Sequence, residues 1–578
     1  MTNIEQFEGH IERVDSIPVI YGMLKGMGIR GIVDSEIEAH GNWQGLSAGW
    51  LVTIWLMHIL SEQKHEMEPV QQWVRRHLVM LRGLTKQPVT ELDFTDDRLA
   101  LCLQYLYPSA VWQRIESLLG SRIIRVYDLP TDLLRLDATV GTVHHNPEQH
   151  VLFQVGKAKN GQYATQFKLM LASLDPLGLP LVVDVKPGNR ADDPLYIPSY
   201  ERAKQILQRE GVLVVGDSKM SALKTRGTIV AGQDYYLTPL ADQKDEPELL
   251  ASLLKPWQGR EKEATRIFLP QDMPADGQPP DPDKAIAIGF ETTRQQSVQV
   301  AGQTVTWEER LLVVRSFSYV KTMQAGLAHR LDKAEAALRG LTPPRQRGKT
   351  QIADEASLLS SIARIEKQYR VQALFQLDYT QEVTERPIRG YKGQPPRSER
   401  RVRFQLEVKR NETTIAAAHF QAGWRIYVTN APQTRLSLTQ AVLAYRDQYI
   451  EENVFRRLQG KFLSITPLYI QRDDHAQGLF HLLTLGARLL ALGDYLARQA
   501  LAKEGSQLSG VYSGNSKRGT SRPTMERMLN AFEGIDLLIF SQQARPFLTR
   551  LSAVQERILA LLGLSDSLFT DLVAFPGE

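Results

Sequence analysis

The stretch LLRLDAT, Leu133 to Thr139, sets an acid inside an apolar run, and GVLVVGD, Gly211 to Asp217, ends on another. Short apolar runs bounded by turn residues suit strands buried on both faces of a sheet. Two further runs lie between them, QFKLMLAS (Gln166 to Ser173) and LPLVVDV (Leu179 to Val185). They are joined through DPLG, Asp175 to Gly178, where proline fixes φ and glycine supplies φ > 0. Pro194 to Arg209 suits a helix. The order strand, strand, strand, helix, strand predicts an α/β domain with acids in the first and at the end of the fourth strand.

Residues 1–125 read as a helical domain. Ser47 and Thr95 stand where helix N-caps are expected, ahead of runs containing Trp50, Ile54 and Leu60, and Leu101, Leu103 and Leu106. Arg75, Arg76, His77 and Arg82 form a basic cluster beside Trp73, either a solvated helix face or a contact for DNA phosphates. Residues 126–240 hold the first part of the α/β core. Residues 241–414 read as an insertion. It has a proline-rich loop (Gln271 to Lys284), strand-like stretches at Thr304 to Phe317, Val371 to Asp378 and Val402 to Lys409, and helices at Lys321 to Leu338 and Ala353 to Tyr369. Arg345 to Lys349 and Arg397 to Arg403 are its basic runs.

The core resumes over residues 415–504. WRIYVT (Trp424 to Thr429) reads as a strand, Leu438 to Lys461 as one helix and Gly478 to Leu501 as another. In residues 505–578, Gly505 to Arg522 reads as a linker, Pro523 as the first residue of a helix, and Leu551 to Leu562 as a closing helix.

Composition limits the function classes. The chain has 578 residues, 43% hydrophobic and 23% charged, which is globular rather than disordered and long enough for several domains. Its one cysteine, Cys102, cannot form an internal disulfide, and no Cys/His cluster suggests zinc, so a reducing cytoplasm is the default compartment. The first twenty residues carry early acids and no apolar core, unlike a signal peptide. Gly478 to Leu501 is long and apolar, but His481, Arg488, Asp494 and Arg498 interrupt it, so no membrane partner is expected. Net charge is +4 and the pI about 8.8, compatible with nucleic acid without requiring it. There is no Walker-type, dinucleotide or nucleophile-elbow motif.

Asp137, Asp217 and Glu452 carry the candidate chemistry. Groups at strand ends and on an adjoining helix converge at one edge of an α/β sheet. Carboxylates gathered there repel one another unless a cation lies between them, and hard oxygen ligands suit Mg²⁺ or Mn²⁺. Two such ions roughly 3.5–4 Å apart serve phosphodiester displacement. Each acid also has a structural reading: Asp137 bound to backbone, Asp217 capping the next helix, and Glu452, like its neighbour Glu451, a solvated helix acid. His144 and His145 have no third ligand at suitable spacing and read as a loop near DNA.

Several motifs resemble the bacterial insertion-sequence transposases of the DDE class, in the branch with a β-rich insertion before the glutamate. These are DATVGTVHH (Asp137 to His145), PGNRADD (Pro187 to Asp193), VVGDSKM (Val214 to Met220), YYLTPL (Tyr235 to Leu240) and KRGTSRPTMERML (Lys517 to Leu529). The family's glutamate helix reads approximately Y-x-x-R-x-x-x-E-x-x-x-x-x-x-K, which places Tyr445 and Glu452 on the motif, with Phe455 and Leu458 matching its apolar positions. Gln448 and Gln459 replace its two basic residues, with Arg456 and Lys461 near enough to substitute.

The resemblance implies a ribonuclease-H-like fold: a mixed five-stranded sheet with a β-containing insertion and helical regions at both ends, of which the N-terminal one, residues 1–125, is expected to bind the DNA ends. It implies a DNA transposase in which Asp137, Asp217 and Glu452 hold two Mg²⁺ (or Mn²⁺) ions, while Tyr445, Arg456 and Lys461 contact DNA; Lys219, two residues after Asp217, reads either as a further phosphate contact or as a surface lysine. The implied partners are terminal inverted repeats, target DNA and a second copy of the chain. The implied location is the cytoplasm, with the protein on the nucleoid when bound to DNA. A metal-dependent nuclease of the same fold, or a non-catalytic DNA-binding derivative, are the alternatives.

Overall fold

The computed structural model describes residues 9–38, 41–158, 161–241, 246–274, 277–344, 352, 354–388, 397–540 and 545–573. The basic run Arg345 to Lys349 lies outside them. The chain forms two compact units: Met1–Thr238 with Gln295–Glu308 and Ala444–Glu578, and Pro239–Arg294 with Glu309–Leu443.

The first unit begins with strand β1 (Gly9–Arg13) and helices α1 (Ile17–Met27), α2 (Ile29–Glu36), α3 (Ala48–Glu62), α4 (Glu68–Arg76), α5 (Leu78–Thr85), α6 (Asp96–Leu106) and α7 (Ser109–Tyr127). Local chemistry sets their ends. Pro18 opens α1, and Gly28, at φ +79°, closes it by donating its N–H to the Leu24 and Lys25 carbonyls. Ser47 and Thr95 take the N-cap positions of α3 and α6, though neither side chain caps the helix. The Ser47 hydroxyl donates to Asp34 instead.

The core follows as β2 (Leu133–Thr142), β3 (Gln154–Lys157), β4 (Tyr163–Leu174), β5 (Leu179–Pro187), α8 (Tyr196–Leu207), β6 (Leu213–Gly216), α9 (Leu223–Ala231) and β7 (Tyr235–Pro239). β2 pairs antiparallel with β4 and parallel with β6. β4 pairs antiparallel with β5, and β6 parallel with β7. β5-β4-β2-β6-β7 are five neighbouring strands of a large mixed sheet, in the order expected of a ribonuclease-H-like core, with short β3 also beside β4. β4 and β5 are apolar along most of their length and are buried accordingly.

The second unit contains α10 (Glu246–Leu254), β8 (Thr265–Ile267), the hairpin β9 (Ala287–Val300) and β10 (Gln303–Ser316), α11 (Phe317–Arg339), α12 (Glu355–Tyr369), β11 (Phe375–Ile388), β12 (Arg397–Arg410), α13 (Glu412–Gln421) and β13 (Trp424–Thr429). β13, read from sequence as a core strand, pairs antiparallel with β10. The helix pair α11–α12 packs on the β11–β12 ribbon around Leu331, Leu338, Leu358, Val371 and Phe404, a core of its own. The tip of the β9–β10 hairpin belongs to the first unit, where the Trp307 indole N–H donates to the Tyr236 hydroxyl at 2.8 Å.

The chain continues through α14 (Leu438–Arg446), α15 (Tyr449–Gln459), α16 (Asp473–Glu504), α17 (Met525–Asn530), β14 (Asp536–Phe540), β15 (Phe547–Leu548), α18 (Ala553–Leu562) and α19 (Ser567–Thr570). The single helix expected over Leu438 to Lys461 is broken at Asp447 and Gln448. Arg135 Nη2 takes the Ala444 carbonyl at 2.9 Å, so the Gln448 N–H turns to the Tyr445 carbonyl instead. α16 is long and apolar enough to cross a membrane, yet 89% of its apolar window is buried inside the protein, as a core helix would be. β14 pairs with β1, which brings the two ends of the first unit together.

Candidate active site

Register places two of the three acids side by side. In the parallel β2–β6 pair, Leu136 lies opposite Gly216, so Asp137 and Asp217 follow at the same level on neighbouring strands. Both are partly buried. Asp137 Oδ1 accepts the Ala138 N–H at 2.8 Å. Asp217 is the N-cap of a short 3₁₀ turn, its Oδ1 accepting the Lys219 N–H at 2.9 Å, while its carbonyl accepts the Thr238 hydroxyl. The capping reading and the catalytic reading of Asp217 are therefore compatible.

A residue without any sequence signal joins them. Tyr196, fully buried at the start of α8, donates its hydroxyl to Asp217 Oδ1 at 2.6 Å. Burial, then the charge of Asp217, hold the phenol far above its ordinary pKa, so it stays a donor. Both bonds from Tyr196 and Lys219 fall on Oδ1, leaving Oδ2 of Asp217 for a cation. A carboxylate oriented by an outer donor holds metal better than a free one, by roughly 10–100-fold in affinity or activity. Tyr196→Phe is thus expected to raise the Mg²⁺ concentration for half-maximal DNA cleavage about tenfold, with DNA binding unchanged. An unchanged metal titration would show that the hydroxyl does not position Asp217.

α15 carries the two glutamates on different faces. Glu451 is buried at 0% exposure, and Ser173 on β4 donates to its Oε2. Burial, with the charge of Asp137 adding to it, pushes its carboxyl well above the usual range. Glu452 is exposed. It lies two turns before Gln459, on the same stripe, and the Gln459 amide donates to the Val140 carbonyl of β2 at 3.0 Å. Ile450 and Val454 occupy the other flank, against Gly178. Glu452 therefore lies on the exposed edge of α15, on the stripe that carries Gln459. Among the described residues, no three His, Cys, Asp or Glu side chains converge closely enough to hold a metal ion. Asp137 and Asp217 stand at one level on neighbouring strands, and of the two glutamates it is Glu451 whose carboxyl feels the charge of Asp137.

The candidate DNA-binding residues also separate. Lys219 is exposed beside Asp217, and Tyr445 is half-buried in the last turn of α14. Arg456 and Lys461 line a cavity of about 500 Å³ beside α15, together with Tyr449, Arg522, Asp494 and Glu526. His145 and His150 are buried, bonded to the Ile470 carbonyl and to Asp473, and so pin the loop after β2 to the start of α16.

The model of the transposase DDE domain family matches residues 129–490, more than half of the chain. The chain belongs to the DDE transposases. These are metal-dependent DNA-cleaving enzymes. The match spans β2 through most of α16, and so includes Asp137, Asp217 and Glu452. No curated protein matches the chain. A solved piggyBac transposase synaptic complex with hairpin DNA aligns at 6% identity and a TM-score of 0.33, over 99% of this chain and 85% of that one. The paired carboxylates of Asp137 and Asp217 are hard oxygen donors of the kind divalent cations take.

Proposed function

We propose that this transposase cuts the ends of a bacterial insertion sequence and joins the freed 3′-hydroxyl to target DNA. The observation that carries this reading is the pairing of Asp137 and Asp217 at one level of β2 and β6, with Tyr196 bonded to Asp217. Asp137, Asp217 and Glu452 would hold two divalent cations, Mg²⁺ or Mn²⁺, whose charge stabilises the phosphodiester displacement. Tyr196 fixes the Asp217 carboxylate, and β2 fixes Asp137.

Lys219, Tyr445, Arg456 and Lys461 bind the DNA near the element's end. Arg456 and Lys461 replace the basic residues that Gln448 and Gln459 lack, since Gln459 is committed to the Val140 carbonyl. Two copies of the chain hold the two terminal inverted repeats, and the reaction takes place in the cytoplasm, on the nucleoid.

The test is a strand-joining assay. The full chain is incubated with Mg²⁺, a labelled duplex taken from the DNA flanking its own gene, and a plasmid target. Labelled plasmid is the expected product. Nicked duplex without joined product would replace the reading with a nuclease, and binding without cleavage would replace it with a DNA-binding derivative.

A further inference from the structure

Away from the carboxylates, α1, α2, α3, α5, α7 and α19 line a half-open cavity of about 690 Å³. Lys25, Arg30, Lys86 and Arg122 line it, against a single carboxylate, Asp571. Arg30 lies 5.4 Å over the Trp50 ring, and its only ion pair among the described residues is with Asp34, at 3.4 Å. Lys25, Lys86 and Arg122 form none among the described residues.

Arg122 is the most telling of the four. Its Nε is buried without a hydrogen-bond partner, and its Nη2 reaches the Gly26 carbonyl only at 3.4 Å. Gly28 makes room for it: a Cβ there would stand 2.3 Å from Arg122 Nε. The same glycine sits at φ +79°, where side chains are strained in any case. A buried N–H left without an acceptor costs about 1–3 kcal/mol, and like charges lining one cavity repel one another. An oxyanion in the cavity would offset the repulsion. The volume falls within the roughly 300–1,000 Å³ of small-ligand pockets, large enough for more than one phosphate.

We propose that this pocket binds a phosphoryl group, with the Arg122 guanidinium, Arg30, Lys25 and Lys86 neutralising its charge. That chemistry belongs either to a backbone phosphate of bound DNA or to a free di- or triphosphate. No residue of the pocket belongs to the carboxylate site, so the proposal stands or falls apart from the cleavage reading.

The experiment uses the full chain, an Arg122→Gln variant and a Lys25→Gln/Lys86→Gln double variant. The two lysines are exposed, so the double variant keeps the fold should Arg122→Gln disturb α7. Two probes are titrated: inorganic pyrophosphate by calorimetry, and a random-sequence duplex at several salt concentrations. In the double variant, pyrophosphate affinity is expected to fall at least tenfold, or the salt dependence of duplex affinity to flatten by about 0.9 for each phosphate no longer neutralised. A flattened salt dependence, with pyrophosphate competing for the duplex, assigns the phosphate to DNA. Weakened pyrophosphate binding with unchanged duplex binding assigns it to a free ligand. If both probes bind the folded variants as they bind the wild type, the proposal is overturned.

Discussion

Asp137→Ala and Asp217→Ala should each lower Mg²⁺-dependent cleavage of an end-bearing duplex by about 10³-fold or more, equivalent to about 4 kcal/mol of transition-state stabilisation. Gel-shift affinity for the same duplex should stay unchanged. Neither side chain belongs to the apolar core, and each sits at the opening of the β2–β6 pair rather than under it. Asp217→Ala leaves the buried Tyr196 hydroxyl without its acceptor, at about 1–3 kcal/mol. Asp217→Asn retains that acceptor, so a loss of cleavage shared by both variants is chemical rather than structural. Full activity in any of these variants would remove that residue from the site.

The glutamates need a paired test, because α15 gives them opposite surroundings. Glu452→Ala removes an exposed side chain and should abolish cleavage without lowering the melting temperature. Glu451→Gln keeps a buried acceptor for the Ser173 hydroxyl and should retain cleavage. If Glu451→Gln is inactive while Glu452→Ala cleaves normally, the third ligand is Glu451 and the helix register shifts by one residue. Alanine at 451 would be a poor control, since it empties a fully buried position.

These residues were unequally legible in the sequence. β2 and β6 were readable because a buried strand must be apolar throughout, which makes an acid inside one conspicuous. The break between α14 and α15 was not. Its cause is the Arg135 guanidinium on the Ala444 carbonyl, a bond between residues far apart in sequence that no local pattern encodes. Arg135 itself looked like an ordinary strand residue, yet it is buried and ion-paired with Asp175 at 2.6 Å. Tyr196 was hidden for another reason. A tyrosine on an amphipathic helix reads as core, and only the sheet register brings its hydroxyl to Asp217. Adjacent glutamates were ambiguous because helix periodicity needs a fixed phase, and the break reset it.

Arg488 was equally misleading, since it seemed only to interrupt an apolar helix, and it supports the largest expected change in stability. Its side chain is 2% exposed and donates to Glu116, 1% exposed on α7, at 2.6 Å. It also donates to the Pro180 carbonyl at 2.7 Å and lies 5.5 Å over the Trp112 ring. Glu116 further accepts Arg202 from α8 and the Val183 N–H of β5. One carboxylate thus ties α7, at the end of the helical region, to α8, α16 and the sheet edge. Burial pushes it up to about 7, against the pull of both guanidiniums.

Glu116→Leu would leave Arg488 buried without a counter-charge and Val183 N–H without an acceptor, while Arg202 keeps Asp184. The expected loss is about 3–5 kcal/mol in urea unfolding followed by tryptophan fluorescence. Glu116→Gln retains an acceptor for Val183 and should fall in between. Glu116→Leu/Arg488→Met should regain most of the loss, because removing both charges also removes the desolvation cost of burying them. A Glu116→Leu protein as stable as the wild type, or a double variant no more stable than the single, would show that the helical region is held to the sheet by apolar packing rather than by this carboxylate.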